Sequence, residues 1–171
     1  MQSKVIVITG SSSGVGLTLA NYFHSLGHQV YGLSRTKKGQ EKFQHIATDV
    51  SDKENVHQSF QHILNETNQR IDVLINNAGI GMLGAVEDAK KDDIEKLLNV
   101  NVYGSLYTMQ EVLPIMRAQK QGHILNVSSI ASNSGLPFRG YYSASKAMID
   151  RVVESARLEN RHTGVEITTL N

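Results

Sequence analysis

Val5-Ile6-Val7-Ile8-Thr9-Gly10-Ser11-Ser12-Ser13-Gly14-Val15-Gly16 is the stretch whose reading decides the fold. It opens with β-branched residues, the composition of a strand buried on both faces of a parallel sheet. It then breaks into glycines with serines between them. After Gly16 the apolar residues Leu17, Leu19, Ala20 and Phe23 recur at helical spacing. Strand, glycine turn and helix start together form the phosphate cradle of a dinucleotide-binding βαβ unit. Gly10 permits the tight turn, Gly14 lets the backbone come close to a pyrophosphate, and Gly16 lets the helix pack close to the sheet. The free N–H groups at the helix start, with Ser12, Ser13 and Val15 beside the glycines, then face the anion. The spacing is Thr-Gly-x-x-x-Gly-x-Gly rather than G-x-G-x-x-G, and the absence of a following Gly-Lys-Ser/Thr argues against a P-loop.

The bulk numbers fit a single globular domain over residues 1–171, with 40% hydrophobic and 19% charged residues. A formal net charge of +1 and the lack of any long Lys/Arg run argue against a nucleic-acid surface. The chain has no cysteine, which excludes disulfides, thiolate catalysis and cysteine-ligated metal. No metal site is expected. The longest N-terminal apolar run, Val5 to Ile8, is too short for a signal-peptide core or a membrane span, so the expected location is cytoplasmic and no membrane partner is expected.

Downstream, apolar runs alternate with helical patterns. His28 to Leu33 reads as a second strand, ending in Ser34-Arg35 with no Asp or Glu. An acidic residue there would bond the ribose 2′-hydroxyl of NAD, whereas an arginine accommodates the 2′-phosphate of NADP. Arg35 offers the planar fork suited to a phosphate, so NADP(H) is preferred over NAD(H). His45 to Val50 reads as a third strand, and Ser51 and Glu54 have the spacing of a capping box opening a helix with Val56, Phe60, Ile63 and Leu64 on one face. Ile71 to Asn76 is a fourth strand. Asp92 or Asp93 opens one long helix striped by Ile94, Leu97, Leu98, Val102, Leu106, Met109 and Leu113, with Pro114 near its C-terminal part. His123 to Val127 is a fifth strand, Tyr141 to about His162 a helix, and Val165 to Leu170 a sixth strand. Such alternation predicts an α/β fold, a Rossmann-type doubly wound parallel sheet with helices on both faces. Ligands then lie beyond the carboxyl ends of the strands, where Thr9-Gly10, Ser34-Arg35, Asp49, Asn76-Asn77 and Ser128-Ser129 share one crevice.

Tyr142 and Lys146 stand four residues apart on a predicted helix, which puts them on one face a turn apart. An ammonium close to a phenol favours the phenolate, and a tyrosine so placed serves as acid or base near neutral pH. By itself such a pair is most often two neighbours on a helix surface. Ser129, at the end of the fifth strand, can reach the same crevice.

With these residues in view the chain resembles the short-chain dehydrogenase/reductase family, in its major single-domain branch. The resemblance runs from Val5 to Asn171. It rests on Thr9-Gly10-Ser11-Ser12-Ser13-Gly14-Val15-Gly16, Asn76-Asn77-Ala78-Gly79, Asn101 within Val100-Asn101-Val102, Ser129, and Tyr142-Ser143-Ala144-Ser145-Lys146. One of these motifs is suggestive; five in the right order are specific. The resemblance implies Tyr142 as catalytic acid/base, Ser129 as the group that hydrogen-bonds the reacting oxygen, and Lys146 as the residue that binds the nicotinamide ribose and eases ionisation of the tyrosine. It implies Asn101 as holder of a water in a proton relay, Asp49 with Val50 as the adenine contact, Asn77-Ala78-Gly79 as the lining of the adenosine ribose, and Asn76 as a tie between strands. The hydride comes from the cofactor.

The activity implied is an NADP(H)-dependent oxidoreductase that reduces a carbonyl to an alcohol, or the reverse. A cofactor-binding sensor or scaffold without turnover is the alternative. Met82, Leu136, Pro137 and Phe138 are the candidate lining of a substrate pocket. The resemblance further implies a homodimer or homotetramer paired through the long helices. The family usually continues past the sixth strand with a Pro-Gly turn, a substrate loop and a seventh strand. That C-terminal part of the fold is missing here, so the expectation is that the native polypeptide extends beyond Asn171.

Overall fold

A computed structural model of the chain describes residues 2–171. Six strands form one parallel sheet in the order β3-β2-β1-β4-β5-β6. They are β1 (Val5–Thr9), β2 (Gln29–Ser34), β3 (Gln44–Ala47), β4 (Val73–Asn76), β5 (Gly122–Val127) and β6 (Val165–Leu170). The helices are α1 (Gly14–Ser25), α2 (Lys53–Glu66), α3 (Lys91–Leu98), α4 (Gly104–Gln119) and α5 (Gly140–Glu159). This is the doubly wound α/β fold that the strand–helix alternation predicts.

β1 sits at the centre because each of its residues is buried and both of its edges are paired. Val7 lies opposite Tyr31 of β2 and Leu74 of β4. Side chains alternate across a strand, so β1 divides the core in two. Val5 and Val7 join Tyr31, Phe60, Leu74, Val112, Ile124 and Ile149 beneath α2, α4 and α5. Ile6 and Ile8 join Ala20, Val30, Phe43 and Ile75 beneath α1. A strand buried on both faces has no polar side to show, which is why its sequence reads as an unbroken apolar run. The strand order reverses between β1 and β4, and the carboxyl ends of these two strands open the crevice where such folds take ligands.

Two local expectations are corrected. The N-cap of α2 is Asp52, not Ser51: the Asp52 carboxylate accepts from Glu54 N at 2.9 Å and Asn55 N at 3.1 Å. Ser51 is drawn away because its hydroxyl donates to Asp49 Oδ1 at 2.6 Å. The long helix that Asp92 or Asp93 was expected to open starts at Lys91 and is not continuous. Asn99–Tyr103 forms a π-helical turn between α3 and α4, in which Gly104 N–H reaches back to Asn99 C=O. The wider turn carries the buried Asn101 inward, and such insertions are frequent at functional sites. Gly104, just beyond it, packs where a Cβ would stand 2.9 Å from Val50 Cγ2. Pro114 lies within α4. Strand and helix limits otherwise differ from the sequence reading by a residue or two at most ends, and by three at the close of β3 and of α5.

Candidate active site

The site is built at the ends of β1 and β4. Gly10 turns the chain with φ +68°, and its N–H donates to Leu33 O at 2.8 Å, fastening the turn to β2. Gly16 is buried beneath the turn, where a Cβ would meet Gly10 O at 2.4 Å. Gly14 has the opposite environment: φ is +53° and nothing stands within 4 Å of a Cβ position. The glycine turn is thus closed on the sheet side and open on the other, and the first N–H groups of α1 have no intrahelical partners. Thr9 Oγ1 accepts from the N–H groups of both Asn77 and Ala78 at 3.0 Å. Asn77 Nδ2 donates to Thr9 O at 3.0 Å. Asn77, not Asn76, therefore ties the strand ends together. Asn76 is turned to α4, where its Oδ1 accepts from Thr108 Oγ1 at 2.7 Å.

A cleft of about 380 Å³ runs from this turn along the strand ends. Gly10, Ser12, Ser13, Ser34, Arg35, Asp49, Val50, Asn77, Ala78 and Gly79 line it. The Asp49 carboxylate accepts from the N–H and the hydroxyl of Ser51. Burial pushes this carboxyl up, but the two Ser51 hydrogen bonds and the charge of Arg35 outweigh it and hold Asp49 below the usual carboxylate range. Arg35 itself is exposed at the cleft wall. Ser34 Oγ faces His45 Nε2 at 2.9 Å and donates to Thr36 O at 3.2 Å, so its hydroxyl is held within the turn. An open glycine turn, unpaired helix N–H groups and a guanidinium on one cleft wall fit a phosphate-bearing dinucleotide.

Beyond Gly79 the cleft meets a second cluster. A Cβ on Gly79 would stand 3.4 Å from Asn101 Oδ1 and 3.6 Å from Lys146 Nζ. Asn101 Oδ1 accepts from Ile80 N at 2.8 Å, while its Nδ2 donates to Ile80 O at 2.9 Å and to Ser145 Oγ at 3.1 Å. Both amide protons are therefore used, and one lone pair on Oδ1 is free. Lys146 is buried, and its Nζ donates to Val127 O, the last residue of β5, at 3.0 Å. Desolvation holds the Lys146 ammonium below the usual lysine range, against the opposing charge of Asp150. Ser129 lies two residues beyond Val127 and caps the 3-10 turn Ile130–Ser132 with its hydroxyl. Tyr142 is half-buried in the first turn of α5, one turn before Lys146.

Of the residues expected at a cofactor, Gly14, Val15, Gly16, Tyr142 and Lys146 do not line the cleft itself. Gly16 supports the turn from behind, and Val15 is exposed. The expected substrate residues are divided: Met82 borders a separate hollow of about 340 Å³ beside Asp93 and Lys96, while Leu136 and Phe138 stand exposed. Their loops are nonetheless joined, since Gly84 N donates to Phe138 O at 2.9 Å. The sequence places Thr9 at the crevice and Ser145 between Tyr142 and Lys146 but gives neither a role, because their hydrogen bonds reach across 69 and 44 positions of chain and leave no local pattern. Among the described residues no group of His, Cys, Asp or Glu could hold a metal ion, and no helix is long and apolar enough to cross a membrane.

The sequence model of the family described as short chain dehydrogenase matches residues 4–171. A 3-ketodihydrosphingosine reductase of Bacteroides thetaiotaomicron is 40% identical over 160 residues, which make up 93% of this chain and 59% of that protein. The chain thus spans less than two thirds of that relative. Among solved structures, a metagenomic short-chain oxidoreductase in complex with NADP superposes with a TM-score of 0.90 at 29% identity, covering 97% of this chain and 80% of that one. A 3-ketoacyl-(acyl-carrier-protein) reductase from Brucella melitensis complexed with NADH gives 0.92 at 26% identity, covering 98% and 74%. With the family match running almost from end to end and the same fold in these relatives, the chain belongs to the short-chain dehydrogenase/reductase family.

Proposed function

We propose that this chain carries the cofactor site and the acid/base machinery of an NADP(H)-dependent oxidoreductase that reduces a carbonyl to an alcohol, or runs the reverse reaction. The observation that carries this reading is the meeting of the cleft with the Asn101–Lys146 cluster at Gly79. When bound, the nicotinamide cofactor supplies or accepts the hydride. The Tyr142 hydroxyl gives its proton to the carbonyl oxygen as that oxygen gains electrons, and Ser129 Oγ donates a hydrogen bond to the same atom. Lys146 keeps two N–H donors beyond the one spent on Val127 O, enough for two ribose hydroxyls. The free Oδ1 lone pair of Asn101 accepts from a water that resupplies the proton through the lysine. Arg35 pairs with a 2′-phosphate, and no acidic side chain at the end of β2 competes for it. Self-association through α4 and α5 belongs to the same reading.

Leu83, Val86, Ile130 and Phe138 stand exposed on the two loops beyond β4 and β5. This rim favours a carbonyl carried on an apolar chain. The test is NADPH consumption by the full-length polypeptide with a panel of ketones and aldehydes that includes 3-ketodihydrosphingosine. Tyr142→Phe should leave NADPH binding nearly intact and remove most turnover. Turnover within a few-fold of wild type in that variant would sink the assignment of Tyr142.

A further inference from the structure

Among the described residues three charged side chains are buried: Asp72, Lys146 and Asp150. Asp72 is satisfied, with Arg70 Nε at 2.9 Å and Val5 N at 2.7 Å. Lys146 and Asp150 are 6% and 7% exposed, and neither has an ion-pair partner within 4.0 Å. They lie four residues apart on α5, which places them on one face, one turn from each other. Asp150 Oδ1 has no hydrogen-bond partner at all. An unpaired buried charge is costly, and an opposite charge close by in the same desolvated space offsets that cost.

No other charge competes for either group. α3 and β6 both pack against α5. The charged groups there are Lys91, Asp92, Asp93, Glu95 and Lys96 on α3 and Glu166 on β6, and all are exposed. The π-helical turn contributes only the exposed Tyr103, and the 3-10 turn contributes no titratable group. On α4, Glu111 faces His57 at 3.2 Å and Arg117 reaches Asn160 at 3.4 Å. His123 of β5 bonds Thr168 Oγ1; on α5 itself Arg151 pairs with Glu154, Arg157 donates to Ile167 O, and Glu159 is exposed.

We infer that Asp150 is a positioning residue for the reaction: its buried carboxylate keeps Lys146 in the ammonium form and so keeps the lysine able to donate to the cofactor ribose. This rests on the role of Lys146 given above, but its first readout does not. Desolvation alone drives Lys146 toward the neutral amine, and the Asp150 charge is the counterweight. A neutral Lys146 would lose a donor and the positive charge beside Tyr142. Asp150 touches neither substrate nor cofactor in this scheme and acts only through the lysine.

The test is a titration of Lys146 Nζ by nitrogen NMR in the full-length protein without cofactor. Asp150→Asn should lower the midpoint by about one pH unit or more, a tenfold change in the ionisation ratio. NADPH affinity should then be nearly equal in the two proteins at mildly acidic pH. It should fall off in the variant at a pH about one unit lower on the alkaline side. Asp150→Glu should restore much of the wild-type profile, which a purely structural role for the side chain would not produce. An unchanged Lys146 midpoint in Asp150→Asn overturns the inference. If that variant does not fold, the Asp150 carboxyl carbon is followed in the wild type. A step in the Lys146 nitrogen signal as Asp150 titrates supports the coupling, and a carboxyl still protonated at neutral pH, or no such step, overturns it. A protein that couples the two groups yet reduces no carbonyl would remove the reductase reading and leave the hold of Asp150 on the Lys146 charge standing.

Discussion

Arg35 and Gly16 show how much rests on single residues. Arg35 is exposed, so its own placement contributes little to folding, and its charge is available to a ligand. Charge-assisted hydrogen bonds contribute about 1.5–3 kcal/mol. Arg35→Ala should therefore weaken NADPH binding about tenfold or more and spare NADH. Titration calorimetry with both cofactors checks this, and equal affinity of the wild-type protein for the two would refute the preference. Gly16 works in the other direction. A methyl group there would stand 2.4 Å from Gly10 O and 2.5 Å from Asn77 Nδ2. The first neighbour is backbone and has nowhere to go, so Gly16→Ala should destabilise the fold by about 1–3 kcal/mol, the range for overpacking. A denaturant midpoint that does not move would show that the turn yields instead.

The π-helical turn and β2 each carry a prediction at the level of an element. Asn101 satisfies both the N–H and the C=O of Ile80, and so pins the segment after β4 to the turn between α3 and α4. Asn101→Ala leaves both backbone groups without that partner, and each such loss costs about 1–3 kcal/mol where water does not replace it. Urea unfolding should register roughly 2 kcal/mol or more; a loss of a few tenths would mean that water takes over the bonds. On β2, burial is the main cause that pushes Tyr31 up from 10.0 to about 12, with the Glu66 hydrogen bond adding to it. Its ionisation is thus harder in the folded chain than in the unfolded one, which favours the native state while the phenol is neutral. That advantage is present below about pH 10 and is lost as the pH rises toward about 12. Urea midpoints measured from pH 8 upward should fall more steeply in wild type than in Tyr31→Phe. Parallel slopes would contradict the buried-phenol account.

At the scale of the whole molecule, the sheet brings distant parts of the chain to one line. The carboxyl ends of β1, β2, β4 and β5 carry Thr9, Ser34, Asn76 and Val127. These are neighbours only because the strand order reverses at β1 and β4. A groove of about 450 Å³ runs between α4 and α5 on the far side from α1, with Leu106, Met109, Leu113 and Val152 along it. An apolar groove of this kind is what self-association through the two helices would cover. Sedimentation at micromolar concentration should give a dimer or tetramer, and Val152→Glu should shift it toward the single chain while the circular dichroism stays unchanged. A wild-type monomer would count against this assembly.

The local signals were written in the sequence. β1 is a continuous β-branched run because both of its faces are buried, and the glycines after it stand where a side chain would collide or the backbone must turn, so composition alone marks strand, turn and helix start. The Tyr142–Lys146 spacing is equally local, because one helical turn fixes it. What the sequence did not hold were the partners contributed by distant segments. Asp52 and Ser51 are both good N-cap types, and only the pull of Asp49 on the Ser51 hydroxyl decides between them. The interruption around Asn101 has no composition of its own, since the apolar stripe runs through it; it exists because Asn101 finds Ile80 and Ser145 across the fold. Asn76 and Asn77 are adjacent and chemically identical, yet one faces α4 and the other β1, because successive residues at a strand end point to opposite sides. The burial of Lys146 beside Asp150, on a helix that reads as polar at those positions, is likewise decided by the elements packed over it. Periodicity and steric demand act within a few residues and can be read along the chain, whereas desolvation and hydrogen-bond pairing depend on what lies across the sheet, and only the folded structure supplies that.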